Sequence, residues 1–203
     1  MVEVDESFVG GGRASGKLGA STDKAPVMIA VEKNVGTEVN RKLRLGRVRL
    51  AVADSPGSKQ LVDFARATVE PGSVIRTDGA RMFRVLANEG YQHEYISGYS
   101  SPEPGHVTLP GPHRVASLLK RWNAGTHHYR VEREHLQYYL DEFTFRFNRR
   151  RSTARGMLFY RLLQQSVNTD PHPLNELVSR TSNAIALNDN DDKFIPSDTY
   201  GEF

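Results

Sequence analysis

The sequence predicts an α/β domain built on a mixed sheet, and three observations predict it. Three strand-like segments follow one another at the start, 2–9, 25–33 and 41–53. Helical and strand patterns then alternate to about residue 97, and beyond a stretch rich in Gly, Pro and Ser the apolar periodicity is helical only. The order is β-β-β-α-β-α-β followed by C-terminal helices. Consecutive strands imply an antiparallel meander, and strands alternating with helices imply a sheet with helices on its faces.

Each element has its own signal. "VEVDESFV" alternates apolar and polar residues, as a half-buried strand does. Residues 10–24 are rich in Gly, Ser and Lys and read as a loop or hairpin tip. "APVMIAVEK" is a short apolar run suited to a buried strand. In "RKLRLGRVRLAVA" Leu43, Leu45, Val48 and Leu50 alternate with arginines, and the alternation slips by one at Gly46, which predicts a bulge. "SPGSKQLVDFARATV" opens on cap residues and carries Leu61, Val62, Phe64, Ala65 and Val69 at helical spacing. "SVIRTDG" is a short strand stopping at Asp78-Gly79, residues 80–88 form a second helix, and a strand follows around 91–97. From Gly98 to Pro112 the pattern predicts a mobile loop. Helices are then predicted over 113–125, over 133–150 with a stripe of Leu136, Tyr139, Leu140, Phe143 and Phe147, and around 156–167. The domain is expected to occupy 1–166, and 167–203 to be a polar, acidic, disordered tail.

Composition narrows the function classes. Without cysteine there is no disulfide framework and no thiolate zinc site, which fits a cytosolic protein. No apolar run approaches the length that spans a bilayer, and no signal peptide is visible. The net charge of +3 divides unevenly: seven acids and two bases from Asn168 onward make −5, leaving +8 on residues 1–167. A basic body invites a polyanionic partner, although an ordinary solvated surface would also account for it.

Two acids stand at strand ends, Asp5 on the first strand and Asp78 at the end of the fourth. Carboxylates brought together at a sheet edge repel and so suit cations. Mg²⁺ or Mn²⁺ takes such hard oxygen ligands, and two ions bridged by a shared aspartate suit in-line phosphoryl transfer. Two solvated aspartates in turns is the alternative. Glu6 should point to the opposite face of the sheet from Asp5. Basic residues cluster twice: Arg114, Lys120 and Arg121 lie on one predicted helix, and Arg146, Arg149, Arg150, Arg151 and Arg155 fall within ten residues. Arginine forks bind phosphate oxygens without reading sequence, and cations at a helix end also complement its dipole. His127, His128 and His135 lack a second ligand pair at zinc-finger spacing and read as structural or DNA-contacting.

The ordered motifs "VEVDESFVGG", "VIRTDGA", "GYQHEY", "HRVASLLKRW", "GTHH", "HLQYYLDEFTFRFNRR" and "RGMLFYRLL" resemble a known family. Together they look like the catalytic domain of a DDE-type insertion-sequence transposase, of the insertion-sequence fifteen-ninety-five family (ISXO type), over residues 1 to about 166. The resemblance implies a ribonuclease-H-like fold and metal-dependent cleavage and strand transfer of double-stranded DNA during transposition. It further implies a homo-oligomer when element ends are paired, no membrane association, and a bacterial cytoplasmic, nucleoid-associated location. By position, Asp5 is the first acid and Asp78 the second; the third place falls on His113, with a basic residue two helical turns on at Lys120. Many relatives carry an acid or Asn in this region, where this chain has Pro110 and His113. An imidazole is softer and uncharged, which favours Mn²⁺ over Mg²⁺. Glu103 or Glu142 could substitute. Relatives also carry a cysteine-rich zinc ribbon and a DNA-reading helical part ahead of this domain. Neither precedes Asp5 here, so the alternative expectation is a truncated, catalytically inactive DNA-binding remnant.

Overall fold

The computed structural model describes residues 1–10, 24–34, 44–55, 57–96, 105–128, 131–171 and 173–174. Five strands, β1 (Val2–Val9), β2 (Ala25–Asn34), β3 (Arg44–Val52), β4 (Val74–Thr77) and β5 (Gln92–Tyr95), form one sheet in the order β3-β2-β1-β4-β5. β1, β2 and β3 pair antiparallel, while β4 and β5 run parallel to β1. Helix α1 (Ser58–Thr68) links β3 to β4, and a 3₁₀ helix, Arg81–Glu89, links β4 to β5. A short α2 (Gly105–Thr108) precedes α3 (Pro110–His127), α4 (Leu136–Asn148) and α5 (Arg155–Val167).

Strand alternation sorts the core into two layers. Val2, Val4, Met28, Ala30 and Ala51 face α1 and the 3₁₀ helix, meeting Leu61, Phe64, Phe83 and Leu86. Val27, Ile29, Val31, Val48 and Leu50 face the other way, against Val115 and Leu119 of α3 and Leu136, Leu140, Phe143 and Phe147 of α4. This meander with helices on both faces is the ribonuclease-H-like architecture.

The Gly46 bulge is present. Val31 pairs with Val48 but Lys33 with Leu45, so β3 holds one extra residue there. A Cβ on Gly46 would stand 2.5 Å from Glu32 Oε2. That carboxylate accepts the Arg47 N–H at 3.1 Å and lies 3.6 Å from its guanidinium.

β3 is an edge strand, and an unpaired edge needs cover. Helix α4 supplies it with side-chain amides. Asn148 accepts the Val48 N–H at 2.7 Å and donates to the Val48 carbonyl at 3.1 Å. Gln137 accepts the Val52 N–H at 3.0 Å. Arg133, just before α4, donates to the carbonyls of Ala53 and Asp54. The segment from Arg133 to Asn148, which runs into the conspicuous "YLDEFTFRFNRR" block, thus clamps the edge at three points.

Several boundaries differ from the sequence reading. Residues 81–89 are 3₁₀ rather than α-helical, since apolar spacings of three suit either turn. α3 begins at Pro110, not 113, because prolines are tolerated in a first helical turn, and it runs through Gly125 to end where His128 takes φ +50°. The loop tip 11–23, residues 97–104 with Glu103, and the tail from 175 lie outside the described residues. α5 carries no buried residue.

Replacing Asn148 with Ala leaves two main-chain groups of the fully buried Val48 without these partners. Urea unfolding should show a loss of about 1–3 kcal/mol.

Candidate functional site

Strand register builds the site. β1 and β4 pair with Val2 opposite Ile75 and Glu3 opposite Arg76. The same register carried two residues further sets Asp5 beside Asp78. The β4 end is a tight turn: Gly79 adopts φ +79°, its N–H donates to Thr77 Oγ1 at 3.2 Å, and the Ala80 N–H donates to Asp78 Oδ1 at 2.9 Å. A side chain at 79 would also stand 2.8 Å from the Tyr95 ring. Thr77 is fully buried, and its hydroxyl lies 2.9 Å from His93 Nε2; burial lowers the pKa of that imidazole.

Asp5 lies on the face that meets α3. Its Oδ1 accepts the Glu6 N–H at 2.9 Å, and its Oδ2 lies 3.8 Å from His113 Nε2. The Asp5 side chain is 15% exposed and that of His113 45%. Burial first, then the charges of Glu6 and Asp78, push the Asp5 carboxyl up to about 7. Glu6 stands on the opposite face, as alternation requires, yet burial and the Asp78 charge raise its carboxyl too. Its Oε2 is buried with no hydrogen-bond partner among the described residues. Glu6 faces away from Asp5, as the alternation predicts, and still lies within the field of Asp78.

Asp5 and Glu6 thus both feel the charge of Asp78, Asp5 also feels that of Glu6, and Glu6 Oε2 is buried without a partner among the described residues. Among the described residues no three His, Asp or Glu side chains are gathered closely enough to hold an ion by themselves.

The structure brings His113 to Asp5. Glu142 is instead on α4, packed along β3, two strands from β1, and pairs with Arg146 at 3.5 Å. His113, Arg114, Ser117, Lys120 and Arg121 form one exposed stripe on α3. Burial and the neighbouring Lys24 lower the Lys120 pKa, so two cations approach one another there. At the end of α4, Arg149 lies over the Phe145 ring at 4.0 Å and Arg151 is exposed. Arg150 covers the Phe147 ring at 3.9 Å and donates to the carbonyls of Leu45, Gly46 and Phe147. Its guanidinium thus fastens the bulge of β3. His127 is set between Trp122 and Tyr139, with ring centroids at 5.0 and 4.4 Å.

Asp78 stands just past the end of β4, but Asp5 lies in the middle of β1 and not at a strand end as the sequence reading had it; with a basic helix over them, they give this ribonuclease-H-like domain an acidic centre. The model of the ISXO2-like transposase domain family matches residues 1–148, and the chain belongs to that family. This is the family indicated by the order of the sequence motifs. Membership makes DNA the implied partner. No curated protein matches the chain significantly. No helix among the described residues is long and apolar enough to cross a membrane.

The raised Asp5 carboxyl has a consequence for stability. Folded Asp5 keeps its proton up to about pH 7, whereas the unfolded chain releases it near 3.8. The folded state therefore binds more protons between these values, and metal-free stability falls as pH rises through that window. Denaturant unfolding should show a decline on the order of 1–3 kcal/mol between pH 4 and 8, which Asp5→Asn reduces to the share left by the raised Glu6 carboxyl.

Proposed function

We propose that this domain performs metal-dependent DNA cleavage and strand transfer. The observation that carries the reading is the side-by-side placement of Asp5 and Asp78, with the Asp5 carboxyl raised by burial and like charge. A carboxyl so perturbed beside a second acid is characteristic of a working site. Asp5 and Asp78 would hold Mg²⁺ or Mn²⁺ in a two-ion centre, with His113 as the third protein ligand. When bound, the cations supply the positive charge that offsets carboxylate repulsion and polarises a phosphodiester.

The chain's own residues orient the DNA. Lys120, Arg114 and Arg121 share the exposed stripe with His113 and bind backbone phosphates close to the acids. Arg146, Arg149 and Arg151 extend the contact at the end of α4. Arg150, held by main-chain carbonyls, contributes mainly by fixing that end. The reaction is hydrolysis of the phosphodiester at an element end, leaving a 3′ hydroxyl and a 5′ phosphate, followed by attack of that hydroxyl on a target phosphodiester, which forms the new junction and releases a target 3′ hydroxyl. Pairing of two element ends would bring two copies of the chain together.

His113 in place of an acid favours a second reading, a DNA-binding remnant without catalysis. Nicking of duplex DNA separates the two. Cleavage is expected with Mn²⁺ above Mg²⁺, and Asp78→Ala should lower it by more than about 100-fold, beyond the cost of an outer-sphere change. Salt-sensitive binding with no cleavage under either metal would establish the remnant, and unchanged cleavage by Asp78→Ala would remove that residue from the site.

A further inference from the structure

Helix α3 opens on Leu109-Pro110-Gly111-Pro112-His113. Prolines have no N–H, so within Pro110–Pro112 only Gly111 has a donor to place. That N–H donates to Glu3 Oε2 at 2.8 Å, across 108 residues of sequence. Oε1 of the same carboxylate receives Lys33 Nζ at 3.0 Å. Glu3 is 1% exposed. A carboxylate buried so completely requires such partners, and the helix N-terminus adds partial positive charge. The approach is close: a Cβ on Gly111 would stand 2.6 Å from Glu3 Oε2 and 3.2 Å from Val31 Cγ1. Glu3 and Asp5 share one face of β1, and Gly111 and His113 are likewise two residues apart on α3. Strand and helix thus meet at two points, the Gly111 main chain on Glu3 and the His113 side chain beside Asp5.

We propose that Glu3 is a positioning residue: by capping α3 at Gly111 it holds His113 beside Asp5. This rests on the proposed reading of Asp5, Asp78 and His113 as a cation site. What matters is an acceptor at the right reach more than the charge. Gln at position 3 can keep an oxygen at Gly111, whereas Asp draws it back by one methylene, about 1.5 Å.

The full chain is titrated with Mn²⁺ alone, and its unfolding is measured without metal. Glu3→Gln should stay within about threefold of the parent Mn²⁺ affinity, and Glu3→Asp should weaken it about tenfold. In a His113→Ala background, Glu3→Asp should add less than about twofold. Without metal, a double-mutant cycle of Asp5→Asn and His113→Ala should show a coupling that Glu3→Gln keeps and Glu3→Asp loses. If Glu3→Asp does not fold, Gly111→Ala carries the same expectations, because its Cβ displaces the Glu3 oxygen. A folded Glu3→Asp or Gly111→Ala with intact coupling overturns the proposal. So does an equal affinity loss with and without His113, or a parent with no coupling to lose. A parent that shows the coupling but binds no Mn²⁺ overturns the cation reading instead and leaves Glu3's role standing.

Discussion

The site depends on a buried carboxylate whose partners come from two other elements. Glu3 binds Lys33 on β2 and the first turn of α3 through Gly111. Removing the charge from water is costly, and the cost is met only if both partners are in place. That requirement fixes the helix against the strand to within a hydrogen-bond length. Everything α3 offers to the centre follows from this contact: His113 over Asp5, and Lys120 two turns along with Arg121 beside it. A general apolar contact between helix and sheet, such as Val115 and Leu119 provide, could slide; a buried ion pair combined with a main-chain cap has far less freedom.

A second constraint acts in the opposite direction. The middle of β1 and the end of β4 bring Asp5, Glu6 and Asp78 into one another's fields, so the fold accepts repulsion at its centre. Hydrogen bonds from the Glu6 and Ala80 amides hold one oxygen of each aspartate. The glycine at 79 permits the turn that sets Asp78 in place. Stability is supplied elsewhere, by two apolar layers and by α4 closing the β3 edge. This division between a strained acidic centre and a well-satisfied periphery is expected where local rules give way to function.

The meander, the Gly46 bulge and the α4 stripe were legible in the sequence because period-2 and helical spacing and turn residues all bear on them. Glu3 was not. In an alternating strand a polar residue normally faces solvent, and nothing in "VEVDE" distinguishes a carboxylate facing a helix. The signal that could have found it lies in "PGP", where a helix start with two prolines leaves one N–H seeking an acceptor. Gln137 and Asn148 were hidden for a similar reason: an amphipathic stripe marks which residues are buried, not which amides bond to a strand edge. Arg150 looked like its neighbours in a basic run, and only the carbonyls around it separate its role from that of Arg151. Glu6 does face away from Asp5, but alternation carries no information about charge acting between neighbouring strands.

The central claim is that Asp5 and Asp78 form one divalent-cation centre. A crystal of the chain soaked in Mn²⁺, with anomalous scattering recorded at the manganese edge, tests it most directly. The account predicts an anomalous peak within roughly 2.0–2.4 Å of a carboxylate oxygen from both Asp5 and Asp78. A folded domain with no peak there, or with manganese only on other surface carboxylates, would contradict it.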